Sequence, residues 1–231
     1  MPFFIGDISM SCCNKIQGHA EHTIPEEVYS HLPYAVFSVT FSLIALSIFS
    51  FLAVSKNSAD VNCAFDQLFH SFHFMHIVFA SSGSLLTFFR FSDNLPKGLF
   101  IGGLTSMIFC ALSDILMPYV GGTLLGVDMH LHLCFIYELQ NVLPFLIVGL
   151  FTGVIMRRHQ LEVRGVISLW SHFTHIFISS LASSFYLVAH GFSDWAPQIG
   201  PVFLVLLISV LIPCSLSDVV IPMFFAKAGK K

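Results

Sequence analysis

Cys110-Ala-Leu-Ser-Asp-Ile-Leu-Met-Pro118 returns 104 residues later as Cys214-Ser-Leu-Ser-Asp-Val-Val-Ile-Pro222. An aspartate inside an apolar stretch is costly in a membrane setting, so writing it twice in the same context points to an internal duplication. Working outward, a second pair of matching stretches precedes the first. His73-Phe-Met-His76-Ile corresponds to His172-Phe-Thr-His175-Ile. Each continues through small residues, Ala80-Ser-Ser-Gly83 and Ser179-Ser-Leu-Ala182, and closes at Phe91-Ser-Asp-Asn-Leu-Pro96 or Phe192-Ser-Asp-Trp-Ala-Pro197. The first parts of the two copies match only at His31-Leu32 and His132-Leu133.

The composition says where such a chain lives. Hydrophobic residues make up 55% and charged residues 10%, with 26 Phe against 10 Lys plus Arg. The mean hydropathy is +0.82. A water-soluble domain carries roughly a quarter charged residues, so this chain has too few to cover a soluble surface. The expected class is an all-α integral membrane protein whose main partner is the lipid bilayer. With a net charge of −3 and no basic cluster, a nucleic-acid partner is not expected. The first thirty residues are polar and acidic, without the basic-then-apolar order of a signal peptide.

A helix needs about 20 mostly apolar residues to cross a bilayer. Six stretches qualify: 33–55, 65–89, 98–120, 131–155, 167–189 and 200–225. They divide the chain into a polar tail (1–32), a first three-helix repeat (33–120), a second (121–225) and a basic C-terminus (226–231). With six spans, one side collects Lys15, Arg90, Lys97, Arg157, Arg158, Arg164, Lys227, Lys230 and Lys231, and the other only Lys56. The positive-inside rule then makes both termini cytoplasmic. Three spans per copy force the second copy to enter the membrane from the opposite side. Such inverted repeats are common in secondary transporters, whose sites lie near the midplane where the halves meet.

The candidate pathway is drawn from the ionisable residues inside the spans: His70, His73, His76, Asp114, Glu138, His172, His175 and Asp218. Spacing of three places His70, His73 and His76 on one helix face. Asp128, His130 and His132 mark the outer mouth, where the fourth span begins. Imidazole pairs with carboxylates from neighbouring helices suit Zn²⁺, Mn²⁺, Fe²⁺, Co²⁺ or Ni²⁺, which makes His73, His76, Asp114, His172, His175 and Asp218 the candidate metal ligands. Metal binding displaces protons from such groups, so proton coupling is natural. Proline four residues after each aspartate clashes with that aspartate's carbonyl and predicts a local disturbance of the helix. The runs at 80–84 and 179–184 read as close-packing surfaces between helices. Cys110, Cys134 and Cys214 fall in apolar runs and read as small hydrophobes. Cys12 and Cys13, with His19 and His22, belong to the tail.

Six spans with ligands on the second and fifth distantly resemble the cation diffusion facilitators. The resemblance covers span number and ligand placement only. This chain carries His-x-x-His where that family carries His/Asp-x-x-x-Asp, and nothing in it corresponds to that family's large cytosolic domain. The reading expected from the residues is a small secondary transporter, not an enzyme, for a divalent transition metal or small solute; a pore of this size suits a homodimer. Three alternatives use the same residues. A membrane cytochrome would hold haem b between His73 or His76 and His172 or His175. An intramembrane zinc hydrolase would need an open ligand position and a base such as Glu138. A solute transporter would use the His and Asp residues as a proton relay.

Overall fold

The structure is a computed structural model that describes residues 24–55, 61–159 and 166–228. Helices α1 (Ile24–Ser55), α2 (Val61–Phe89) and α3 (Leu95–Ala111) lead into a π-helical turn (Leu112–Leu116) and α4 (Met117–Leu124). A short α5 (Cys134–Tyr137) precedes α6 (Leu139–His159), α7 (Val166–Ala189) and α8 (Ile199–Ser215). A second π-helical turn (Leu216–Val220) and α9 (Ile221–Lys227) complete the chain. No strand occurs among the described residues.

Five helical segments are long and apolar enough to cross a membrane: His31–Ala53, Val61–Phe89, Leu95–Leu124, Leu139–Arg157 and Ala196–Lys227. The distribution of polarity agrees with that setting. Phe51 is 72% exposed, Phe100 66% and Phe151 65%. Ser42, Ser84, Ser106, Ser113, Ser179 and Ser183 are fully buried. Apolar groups face outward and hydroxyls inward, the reverse of a water-soluble bundle. The chain is an integral membrane protein.

The helix α7 is 24 residues long, which at 1.5 Å per residue is enough to span. Its polarity comes from His172, His175 and a group of buried serines, and it is the most enclosed helix. Every residue from Ile178 to Val188 is buried. It packs mainly against α2 and α1, and α2 packs in turn on α6 and α3. On α6, Gly149 and Gly153 lack the side chains that would collide with Ser81 and Leu85, so α6 lies close against α2.

Both aspartate motifs form π-helical turns at matching positions. Pro118 and Pro222 have no N–H, so the carbonyls four residues earlier lose their usual donor. The helix widens instead of breaking: Met117 N–H reaches back to Leu112 and Ile221 N–H to Leu216. Such turns recur at functional sites because they re-aim side chains. The small-residue runs dock across the two copies on these turns. Ser84 donates to the Ser217 carbonyl at 2.7 Å, and its counterpart Ser183 donates to that of Ser113 at 3.1 Å.

The fourth apolar segment corrects the expectation from the sequence. It begins at Leu139 and not at 131. The preceding chain is pinned in an extended path: His130 N–H donates to the His190 carbonyl at 2.9 Å. The Tyr186 hydroxyl donates to the His130 carbonyl and accepts from His132 N–H, both at 3.2 Å. Gly191 permits this close approach; its φ of 132° suits glycine, and a Cβ there would lie 2.7 Å from the Asp128 carbonyl.

Arg90, Lys97, Arg157 and Lys227 gather at one end of the bundle. There Arg157 pairs with Asp93, Lys97 Nζ donates to the Phe225 carbonyl at 2.7 Å, and Lys227 lies over Phe91. Lys15, Lys56, Arg164, Lys230 and Lys231 lie outside the described residues, as do Cys12, Cys13, His19 and His22.

Candidate functional site

The centre of the bundle is built where α2 and α7 face each other between the two π-helical turns. Three-residue spacing sends His73 and His76 to the same side of α2, and both are buried. There they meet Asp114. Its Oδ2 accepts from His73 Nδ1 at 2.8 Å and His76 Nδ1 at 2.7 Å. Its Oδ1 accepts from Ser113 at 2.7 Å and Ser179 at 2.8 Å. A buried carboxylate is tolerable only when its oxygens are satisfied, and Asp114 has four donors.

The second copy is built alike but less completely. Asp218 Oδ2 lies 2.9 Å from His175 Nδ1 and 3.3 Å from His172 Nδ1. His175 Nδ1 is off the line of a straight hydrogen bond, and Asp218 Oδ1 has no donor. The reason is legible in the repeat: Ser179, which serves Asp114, corresponds to Ala80, which has no hydroxyl. Gly83 faces the unpaired oxygen instead.

The two copies meet through their histidines. His76 Nε2 lies 2.8 Å from His175 Nε2. Cys214 Sγ lies 3.8 Å from the same His76 nitrogen and donates to Ser179 at 3.5 Å. A carboxylate oxygen accepts, so Asp114 holds a proton on His76 Nδ1 and leaves His76 Nε2 as an acceptor. The two Nε2 atoms face each other at hydrogen-bond distance, with a proton between them. A metal ion would take the place of that proton. His76, His175 and Cys214 offer ligand atoms all within 4.8 Å of one another.

Polar groups extend from this centre toward both ends. Toward the basic end, His172 meets the ring of His31 edge-on at 5.3 Å. Toward the other end, Phe69 stacks on His73 and touches His70 edge-on, separating the centre from a second cluster. In that cluster Glu138 Oε1 lies 3.1 Å from His70 Nε2 and 3.5 Å from His132 Nε2. Cys134 completes a second group of ligand atoms with His70 and His132. Beside it, burial holds the His190 imidazole below its ordinary pKa, against the opposing pull of the Tyr186 carbonyl and Asp66. No protein-family model matches this chain, and no curated protein or solved structure matches it. The geometry therefore carries the functional argument alone.

The residues singled out in the sequence fall into three places. His73, His76, Asp114, His172, His175 and Asp218 form one connected central string. His70, Glu138 and His132 come together at the mouth. Asp128 and His130 are exposed, and His130 takes part in the contacts described through its backbone. Cys134 and Cys214 pack in the apolar core, as their place in apolar runs suggests, and each also brings its sulfur within 4.8 Å of two imidazole nitrogens, which sequence reasoning missed. The available signal was position: Cys214 opens the repeated Asp motif, and Cys134 lies two residues after His132 and four before Glu138. Bonding of Asp114 to the neighbouring Ser113 is readable from the sequence and is present, whereas Ser179 was missed as a donor to Asp114.

Proposed function

We propose that this chain is a small secondary transporter for a divalent transition metal, exchanged against protons through the central His76–His175–Cys214 site. One observation carries the reading: two imidazole Nε2 atoms and a thiol converge in a sealed, membrane-embedded centre. Each of those imidazoles is backed by a carboxylate at its other nitrogen. Carboxylate-backed imidazoles are the usual arrangement around a bound metal. On this reading His76, His175 and Cys214 contact the ion, while Asp114 and Asp218 orient the imidazoles from behind. His73 and His172 extend the string toward the two ends.

The proposed architecture has six spans, with α7 as the fifth, arranged as two inverted three-helix repeats. The matching π-helical turns and the reciprocal Ser84–Ser217 and Ser183–Ser113 contacts support it. The basic residues at one end of the bundle support a cytoplasmic location for both termini.

Proton exchange follows from the chemistry of the donors. The proton shared by the facing Nε2 atoms and the proton of the Cys214 thiol must leave when a divalent ion binds. Reprotonation restores the 2.8 Å contact and disfavours the metal. The same short contact favours a second reading, a proton relay coupled to an organic solute. It weighs against a haem bridged by His76 and His175, which would need nitrogens about 4 Å apart, twice a ~2.0 Å metal–imidazole bond. Glu138 sits with His70 and His132, away from the central group, which weighs against its acting as base for a hydrolase there.

The test is flux in proteoliposomes. The wild-type chain is expected to move Zn²⁺ or Co²⁺ with opposite movement of protons, and His175→Ala to lose both. Proton movement without metal movement would transfer the reading to the relay. A Soret band in the purified protein would transfer it to a cytochrome.

A further inference from the structure

The cluster at the mouth has the makings of a binding site in its own right. His70 Nδ1 lies 2.8 Å from the Asp66 carbonyl. A carbonyl only accepts, so this nitrogen carries the proton and leaves His70 Nε2 as a bare lone pair. That lone pair lies 3.1 Å from Glu138 Oε1, a second electron-rich atom. His132 Nε2 lies 3.5 Å from the same oxygen. Both Nε2 atoms are buried without a hydrogen-bond partner. Neither makes a straight hydrogen bond to the carboxylate, and His70, His132 and Cys134 offer ligand atoms that all lie within 4.8 Å of one another.

We infer that His70, His132, Cys134 and Glu138 form a second divalent-metal site, with His70 Nε2, His132 Nε2, Cys134 Sγ and Glu138 Oε1 as ligands. In a tetrahedron with bonds of ~2.1 Å, neighbouring ligand atoms lie about 3.4 Å apart. The separations of 3.1 and 3.5 Å between Glu138 Oε1 and the two imidazole nitrogens match that figure, and a side-chain adjustment brings the carboxylate and the Cys134 sulfur onto one ion. Two imidazoles, a thiolate and one carboxylate select a borderline ion such as Zn²⁺ or Co²⁺ over Mg²⁺ or Ca²⁺, which prefer all-oxygen sets.

The chain builds this site from two directions. The helix α2 supplies His70, and the pinned segment before α6 supplies the other three. His132 and Glu138 keep 28% of their side-chain surface exposed, whereas Cys134 is fully buried. An ion therefore reaches the site from outside and is gripped from beneath. Its service as the first station of a transport path rests on the transporter reading; its capacity to bind a metal does not.

The experiment is a Co²⁺ titration of the full chain in detergent, read by the visible and thiolate-to-cobalt bands and by metal analysis. Two equivalents are expected for the wild type. His132→Ala and Cys134→Ser should each lose one equivalent, and His175→Ala should lose the other. Because His132 reaches Tyr186 through its backbone, His132→Ala keeps that contact, and an unchanged size-exclusion profile checks the fold. If His132→Ala and Cys134→Ser both retain the full wild-type stoichiometry, the mouth site is overturned, whatever His175→Ala does. If only the mouth equivalent exists, the mouth site stands and the central metal reading fails.

Discussion

The mouth and the centre are each built on two histidines and a cysteine, but hold their carboxylates on opposite sides of the imidazoles. At the mouth, Glu138 stands on the Nε2 side of His70 and His132, among the prospective ligands. At the centre, Asp114 and Asp218 stand on the Nδ1 side, behind the imidazoles. A carboxylate among the ligands adds charge and holds a dication firmly. A carboxylate behind them fixes ring orientation and leaves neutral donors facing the ion, which suits release. The spacing differs in the same sense. At the mouth the imidazole nitrogens and the carboxylate already stand at about tetrahedral separations, while the central nitrogens are closed to 2.8 Å and must part by a few tenths of an ångström for a metal. On the transporter reading, the mouth captures an ion and the centre exchanges it for a proton.

Asp114→Asn breaks this comparison most sharply. Asparagine leaves one acceptor where two oxygens served four donors, and its amide hydrogens confront imidazole N–H groups. The orientation and tautomer of His76 are lost together. Losing an outer-shell partner costs 10–100-fold in metal affinity, and Asp114 sits behind two imidazoles. The Co²⁺ affinity of the centre is therefore expected to fall about 100-fold, with the mouth phase unchanged. Removing one member of a buried pair also costs about 3–5 kcal/mol, so the thermal midpoint falls as well. If both phases of the titration weaken alike, the two clusters are one site and the contrast disappears.

Much of this was readable before any coordinates. The long apolar helices and the grouping of the six central His and Asp residues follow from patterns that survive folding: apolar length, spacing of three, and a motif written twice. What escaped was decided by the shape of the chain. The fourth span starts late because Tyr186 and His190, more than fifty residues away, hold the 130–132 backbone extended. That long-range pairing has no local signature. Cys134 and Cys214 look like core thiols because their apolar neighbours dominate the reading, and their positions beside His132 and Asp218 do not show which way the sulfurs point. The placement of the aspartates is hidden for a related reason. Composition sets which ligand types are present, whereas only geometry shows that Oδ2 meets Nδ1 and that the Nε2 atoms face each other.

Gly83→Ala tests the weaker half of the centre. A methyl group there would lie 2.9 Å from Asp218 Oδ1 and 3.3 Å from its Cγ and Oδ2. The carboxylate must move, and with no donor on Oδ1 little resists. Overpacking of this kind costs about 1–3 kcal/mol. The central Co²⁺ affinity should fall about tenfold, the lower limit for an outer-shell loss, and the mouth should not respond. Gly200→Ala is the control, since nothing lies within 4 Å of the added group. An unchanged central affinity in Gly83→Ala would mean that Asp218 does not orient His175.

The smallest effect is expected at the mouth, from Asp66→Asn. Asp66 stands behind His70 as Asp114 stands behind His76, but its carboxylate is 3.4 Å from His70 Nδ1 and its side chain 44% exposed. The closer partner, at 2.8 Å, is its own backbone carbonyl. Substitution leaves that carbonyl in place, so the His70 tautomer is retained and Nε2 stays bare. The mouth affinity for Co²⁺ is expected to fall by less than about tenfold, below the usual outer-shell range, with no change at the centre. A fall approaching that of Asp114→Asn would show that the Asp66 carboxylate, not the carbonyl, sets the tautomer. The mouth would then carry a charged backing group as well as a charged ligand. Its difference from the centre would reduce to Glu138 alone.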